Sequence, residues 1–156
     1  TIKSHGFTPI VNLTGHLLNR WVLHAGKSIY NIRHRTDDTL KEGEAVAIEP
    51  FATDGSGRVI DSRPSDIYRL LNPKPVRHPV ARKILMDIVN NHRELPFAKR
   101  WFVSKYGLAQ VSLALKHLTQ GKVIYQYPIL RDQDSGCVSQ TEHTVVVLDD
   151  PLITTG

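Results

Sequence analysis

The chain has 156 residues, of which 40% are hydrophobic and 22% charged, a composition typical of one folded domain rather than a disordered segment. No apolar run reaches the roughly 20 residues that a membrane-spanning helix needs. The single cysteine, Cys137, excludes an internal disulfide or a paired-cysteine metal site and favours a reducing, cytoplasmic environment. The sequence starts at Thr1 and its one methionine is Met86, so we expect a preceding segment in the natural protein.

The net charge of +5 is concentrated in the middle of the chain. Residues 69–122 hold eleven Lys/Arg against two acidic side chains, a net charge of +9, while the remaining nine basic and thirteen acidic side chains give −4. A basic segment between two acidic flanks predicts an insert at 69–122 within a domain formed by 1–68 and 123–156.

The first flank is predicted to be rich in strands. Short β-prone runs lie at 8–13, 21–23, 28–32, 45–48 and 58–60, separated by turn signals such as glycine pairs. The run 45–48 is fully apolar and ends abruptly at an acidic residue, which indicates a buried strand.

The middle segment changes to helical periodicity. Pro79 is predicted to begin a first helix, residues 97–106 a second, and the stripe from Leu108 to Leu118 a third that Gly121 ends. Strand character resumes at 123–125. The last flank is predicted to alternate over 138–143 and to form a buried strand at 144–148.

Ionisable side chains next to the apolar strands are the candidate functional residues. His16 and His24 are predicted at strand ends, Glu49 follows the run 45–48, and Glu142 precedes the run 144–148. Histidine and glutamate are ligands of divalent zinc, manganese, iron or cobalt, and a carboxylate can bridge two ions. An isolated residue of this kind is more often an ordinary strand-end side chain, so the spacing alone leaves a metal site and a plain β-protein both open.

Four strings in this order resemble a known family. They are PIVNLTGH at 9–16, LHAG at 23–26, AIEPFAT at 47–53 and QTEHT at 140–144. Together they are similar to the C-terminal half of type 2 methionine aminopeptidases, in particular the short archaeal form. The resemblance runs from Phe7 to the end of the chain.

The resemblance implies an α+β protein with part of the pita-bread fold, an antiparallel sheet and a winged-helix-like helical insert. It implies a cytoplasmic metallo-exopeptidase that removes initiator methionine from nascent chains with two divalent ions. His16 would bind one ion, Glu49 would bind the same ion and serve as general base, and Glu142 would bridge both. His24 would contact the substrate near the scissile amide and stabilise the tetrahedral intermediate.

The same resemblance implies a methionine pocket lined by Leu23, Ile67, Tyr127 and Leu130. Thr141 stands where the family commonly has phenylalanine. The family takes two aspartate ligands and another substrate-contacting histidine from its N-terminal half. We therefore expect that half to be the partner of this chain, along with a peptide beginning with methionine, and expect the chain alone to be nearly inactive.

Two alternatives remain open. Three basic helices followed by a strand are also typical of a winged-helix module that binds nucleic-acid phosphates. The chain could instead be a non-catalytic binding protein with the aminopeptidase fold. The retained His16, Glu49 and Glu142 favour the enzyme over both.

Overall fold

The computed structural model describes residues 1–155. The chain forms two compact units, one from residues 1–62 with the segment from 130 onward, and one from residues 63–129. The predicted division into a catalytic part at 1–68 with 123–156 and an insert at 69–122 stays a prediction. No helix within the described residues is long and apolar enough to cross a membrane.

The first unit is built on antiparallel strands. A short 3₁₀ turn at Lys3–His5 precedes them, and the strands in chain order are β1 (Thr8–Pro9), β2 (Thr14–Leu18), β3 (Ser28–Tyr30), β4 (Ala45–Ile48) and β5 (Phe51–Thr53), then β9 (Val138–Gln140), β10 (His143–Val146) and β11 (Leu152–Ile153). Strands β1, β5 and β9 form one sheet, and the order β11-β10-β4-β2-β3 forms a second. The apolar run 45–48 is central in that second sheet, as its composition predicts.

The remaining elements lie wholly or mostly in the second unit. They are β6 (Val59–Leu70), α1 (Pro79–Asp87), a π-helical turn (Ile88–His92), β7 (Phe97–Ala98), α2 (Arg100–Tyr106), α3 (Leu108–Gln120) and β8 (Ile124–Asp132). The His78 side chain caps α1 by accepting the Ala81 N–H, and Pro79 occupies the first turn, where its missing N–H costs nothing. The three strands pair in the order β7-β6-β8.

The second unit has a continuous apolar core. Aromatic side chains meet edge-to-face at Phe97 and Phe102, with ring centroids 5.7 Å apart, and one face of each neighbouring helix fills the rest. The stripe predicted for α3 supplies Val111, Leu115 and Leu118, all fully buried, whereas Leu108 at the start of the helix is 59% exposed because the core does not extend to the first turn. This agreement follows because the 3.6-residue period identifies a buried helical face directly.

Several local predictions were wrong. Residues 21–23 form no strand, because Trp21 has a left-handed φ of 63° and Asn19 pairs with Val22 across a tight turn. The second helix begins at Arg100 rather than at residue 97, because Phe97 and Ala98 pair with Tyr68 and Ile67 of β6.

The remaining errors concern strand ends in the first unit. The run 8–13 contains only the short strand β1, and the strand that follows it extends to Leu18, so His16 lies inside a strand rather than at its end. The last apolar run is paired from His143 to Val146 and is half-buried instead of fully buried. Sequence alternation fixes the face of such residues but not how many neighbours cover them.

Candidate functional site

Glu49 and Glu142 lie where the chain passes between the two sheets of the first unit. β4 pairs with β10 in a register that sets Ile48 opposite His143. Glu49 directly follows Ile48 and Glu142 directly precedes His143, so both carboxylates lie at the same end of this strand pair. β5 pairs with β9 just beyond this point, with Phe51 opposite Gln140. The two carboxylates are therefore held at one corner by backbone ladders on both sides.

His16 reaches the same corner from the neighbouring strand. β2 pairs with β4 so that His16 lies opposite Ala47, which shares a sheet face with Glu49 because side chains two apart along an extended chain point the same way. Gly15 permits a close approach of the strands, since a Cβ at this position would lie 2.2 Å from the Ala47 carbonyl oxygen. The His16 Nε2 atom is 3.3 Å from Glu49 Oε1.

The environment of Glu49 perturbs its ionisation. Burial raises the pKa of this carboxyl above its usual value, and the negative charge of Glu142 raises it further. His16 and a hydrogen bond from Gln140 act in the opposite direction. The combination of desolvation and a like-charged neighbour is typical of a carboxylate pair built to receive a cation or exchange a proton.

His16 also carries a buried atom with no partner. The residue is 7% exposed, and its Nδ1 atom has no hydrogen-bond partner in the described part of the chain. Its ring lies against that of His24, with centroids 4.2 Å apart. In metal sites, a histidine that binds the ion through one ring nitrogen normally hydrogen-bonds an acceptor through the other.

The predicted pocket residues stay a prediction. Leu23 and Leu130 belong to the first unit, and Leu130 is exposed at 43%. Ile67 and Tyr127 belong to the second unit, where burial raises the pKa of the Tyr127 phenol. The four residues are thus divided between the two units, two in each.

The donor set fits a divalent ion in chemistry but is incomplete. Two ligands about 2.1 Å from one ion lie about 3.0–3.4 Å apart at angles of about 90–109°, which matches the separation of His16 Nε2 and Glu49 Oε1. No three His, Cys, Asp or Glu side chains within residues 1–155 are grouped closely enough to hold an ion. Glu142 joins the pair through the side chain of Gln140 instead.

Sequence reasoning missed Asp132. This residue is 1% exposed, and its carboxylate accepts hydrogen bonds from the backbone N–H groups of Ser56, Gly57, Asp134 and Gly136. Burial raises its pKa and these four donors lower it, and the net pKa is below the usual value. An aspartate at the end of a strand, followed by a turn-forming stretch, is the signal that could have identified Asp132 as an acceptor for backbone N–H groups of neighbouring loops.

Sequence comparison bears on the assignment directly. The chain is 49% identical over 148 residues to a methionine aminopeptidase of Thermococcus onnurineus, covering 94% of this chain and 50% of that protein. It is 44% identical over 150 residues to the methionine aminopeptidase of Methanothermobacter thermautotrophicus, covering 96% of this chain and 50% of that protein. The chain resembles archaeal methionine aminopeptidases. The motif resemblance is thereby confirmed, and the chain spans about half the length of these relatives.

Structural comparison agrees on the fold. A thermophilic Arx1 superposes with a TM-score of 0.77 at 19% identity, covering 97% of this chain and 42% of that one. This likeness confirms the expected α+β, pita-bread fold and carries no statement about activity. No family model matches the chain.

Proposed function

We propose that this chain supplies part of the active site of a metal-dependent methionine aminopeptidase, with His16, Glu49 and Glu142 as metal ligands. The observation that carries the proposal is the contact of His16 Nε2 with Glu49 Oε1 at the corner that also carries Glu142. The similarity to archaeal methionine aminopeptidases supports the same assignment. Two divalent ions, drawn from cobalt, manganese, iron or zinc, would polarise the scissile carbonyl and lower the pKa of water.

The side chains of the chain itself suit distinct roles. Glu49 lies against His16 and beside Glu142, so its carboxylate would stand next to water at this corner, and we assign it the proton from the attacking water. His24 lies against His16, and its ring would donate a hydrogen bond to the oxygen that gains charge at the scissile amide. Leu23, Ile67, Tyr127 and Leu130 would hold the methionine side chain, whose thioether favours apolar surroundings.

Residues outside residues 1–155 would complete this site. The relatives are twice as long, the His16 Nδ1 atom has no acceptor among the described residues, and Ile48 beside Glu49 is 41% exposed although it lies in a central strand. We propose that the half of the relatives which this chain does not span supplies the remaining ligands and covers this surface. The substrate would be a peptide or nascent chain with an N-terminal methionine, and the working compartment the cytoplasm.

The test is release of methionine from a peptide beginning Met-Ala, with added Co²⁺ or Mn²⁺. The chain mixed with the complementary half of an archaeal relative should release methionine, and the chain alone should release very little. Glu142→Ala in the mixture should reduce the rate at least about 100-fold, because it removes the bridging carboxylate. Glu42→Ala is the matched control at an exposed acidic residue and should leave the rate unchanged.

Two results would reject the enzyme. One is a well-folded mixture that releases no methionine, and the other is a Glu142→Ala variant that keeps full activity. Either result would favour the non-catalytic binding protein with the same fold.

A second candidate function concerns the second unit. Its chain order of strand, helix, strand, two helices and strand, together with the net charge of +9 over residues 69–122, is compatible with a winged-helix module that contacts phosphates. Duplex DNA binding measured against salt tests this directly. Affinity that falls steeply with added salt would support phosphate contacts, and no affinity at low salt would remove the candidate.

A further inference from the structure

We propose that Gln140 is a positioning residue whose side-chain amide links the carboxylates of Glu49 and Glu142. This inference rests on the proposed function, because the carboxylates concerned are the proposed ligands Glu49 and Glu142. Gln140 has no role in the assignment derived from the sequence motifs, although it opens the string that contains Glu142. Its role would be to determine which carboxylate oxygens are left for an ion.

The Gln140 side-chain amide lies within hydrogen-bond distance of both carboxylates. The Gln140 Nε2 atom is 3.0 Å from Glu49 Oε2 and 3.5 Å from Glu142 Oε2. An amide nitrogen has two N–H donors and an ionised carboxylate only accepts, so one amide can serve both. Because Glu49 Oε2 faces Gln140, the other oxygen of that carboxylate is the one that lies toward His16.

The backbone fixes Gln140 at this place. It is the last residue of β9 and lies opposite Phe51 of β5, two residues beyond Glu49. The next residue, Thr141, donates its backbone N–H to the Pro50 carbonyl oxygen at 3.4 Å. The backbone pairing of β9 with β5 therefore places the Gln140 side chain next to both carboxylates.

A neutral donor suits this corner better than a charged one. Glu49 and Glu142 both lie next to the Gln140 amide, so the two carboxylates repel each other while both are ionised. Hydrogen bonds from an amide offset part of this repulsion, since donors to charged acceptors contribute more than neutral pairs do. A lysine here would cancel one of the two negative charges and compete with the cation, whereas an amide leaves both charges available.

The first experiment measures the link without metal. The side-chain NH₂ signals of Gln140 are assigned in ¹⁵N-labelled full-length chain, and the spectrum is compared with those of Glu49→Gln and Glu142→Gln. Both substitutions keep side-chain size and should each shift the Gln140 signals, because each removes one charged acceptor. The signals of Gln133, an exposed glutamine of the same unit, serve as the internal control. If either substitution leaves the Gln140 signals in place, the bridging role is overturned.

The second experiment measures ion affinity with Mn²⁺ alone by titration calorimetry. Gln140→Met has similar volume and no donors, and it should weaken Mn²⁺ binding about 10- to 100-fold, the usual effect of losing a group that orients metal ligands. Gln133→Met is the matched control and should bind as the unmodified chain does. Equal affinity of folded Gln140→Met and the unmodified chain would overturn the positioning role.

The two proposals fail in different ways. If neither the unmodified chain nor its mixture with the complementary half of an archaeal relative binds Mn²⁺ at millimolar concentration, the proposed metal site is overturned, and the spectra still decide whether Gln140 links the carboxylates. If Mn²⁺ binds but Gln140→Met binds equally well, only the role of Gln140 is overturned. Should Gln140→Met fail to fold, Gln140→Leu gives the same comparison with a donor-free branched side chain.

Discussion

Replacing Gly15 by alanine should separate the strands that bring His16 and Glu49 together. A Cβ at position 15 would lie 2.2 Å from the Ala47 carbonyl oxygen and 3.1 Å from the Ile29 Cβ atom. Real Cβ contacts essentially never fall below 3.0 Å, so β2 and β4 must move apart by about 0.8 Å. The obstacle is backbone, which cannot rotate away as a side chain would.

The displacement acts on the neighbouring histidine. His16 follows Gly15 in the same strand, and its Nε2 atom is 3.3 Å from Glu49 Oε1, so a shift of about 0.8 Å takes the pair beyond the separation expected for two ligands of one ion. Overpacking of this kind costs about 1–3 kcal/mol of unfolding free energy. With a urea dependence of about 2 kcal/mol per molar, the midpoint should fall by about 0.5–1.5 M.

The assay is urea unfolding of Gly15→Ala together with a Mn²⁺ titration of the same protein. Both stability and affinity should fall. Ile29→Gly combined with Gly15→Ala provides the control, since it removes the Cβ atom of the 3.1 Å contact and leaves the backbone oxygen in place. Full recovery in the double variant, or an unchanged midpoint in Gly15→Ala, would refute the reasoning from close strand approach.

Three further predictions concern single side chains. Glu49→Gln should stabilise the chain at about pH 7. The pKa of Glu49 is higher in the folded than in the unfolded chain, so the stability of the unmodified chain falls as the pH rises through the folded-state pKa. The gain in urea midpoint from the substitution should therefore vanish below about pH 4. Asp132→Asn should destabilise the chain at neutral pH, because an NH₂ group would face backbone donors. The pKa of Asp132 is lowered in the folded chain, so its contribution to stability is present above pH 3.8 and is lost in acid. The urea midpoints of the variant and the unmodified chain should therefore converge on acidification. Phe102→Ala should cost about 3–5 kcal/mol in the second unit, followed by Trp101 fluorescence in a Trp21→Phe background, and an unchanged transition would contradict the buried contact with Phe97.

The helical part of the fold was predictable because its signals are local. Pro79 at the start of α1, the apolar stripe of α3 and Gly121 after it each act within a few residues. The short strands were harder, because a strand exists only where a partner lies beside it. The run at 21–23 has β-prone residues, yet Trp21 adopts a left-handed turn and no neighbouring strand pairs with it beyond one bridge.

The candidate site shows the same division. The motifs predict His16, Glu49 and Glu142 as site residues, which stays a prediction, and the structure brings His16 and Glu49 into contact. The link through Gln140 could not be read from the sequence, because it depends on β5 pairing with β9 in one particular register. Asp132 was missed for a similar reason: its partners at Ser56 and Gly57 are distant along the chain.

Anomalous diffraction from crystals of this chain in complex with the complementary half of an archaeal relative, grown with millimolar Mn²⁺, tests the central assignment most directly. The assignment predicts an anomalous peak within bonding distance of both the His16 ring and the Glu49 carboxylate, and loss of that peak in His16→Ala. A peak bound elsewhere, or none at this corner in crystals that diffract well enough to show manganese, would contradict it.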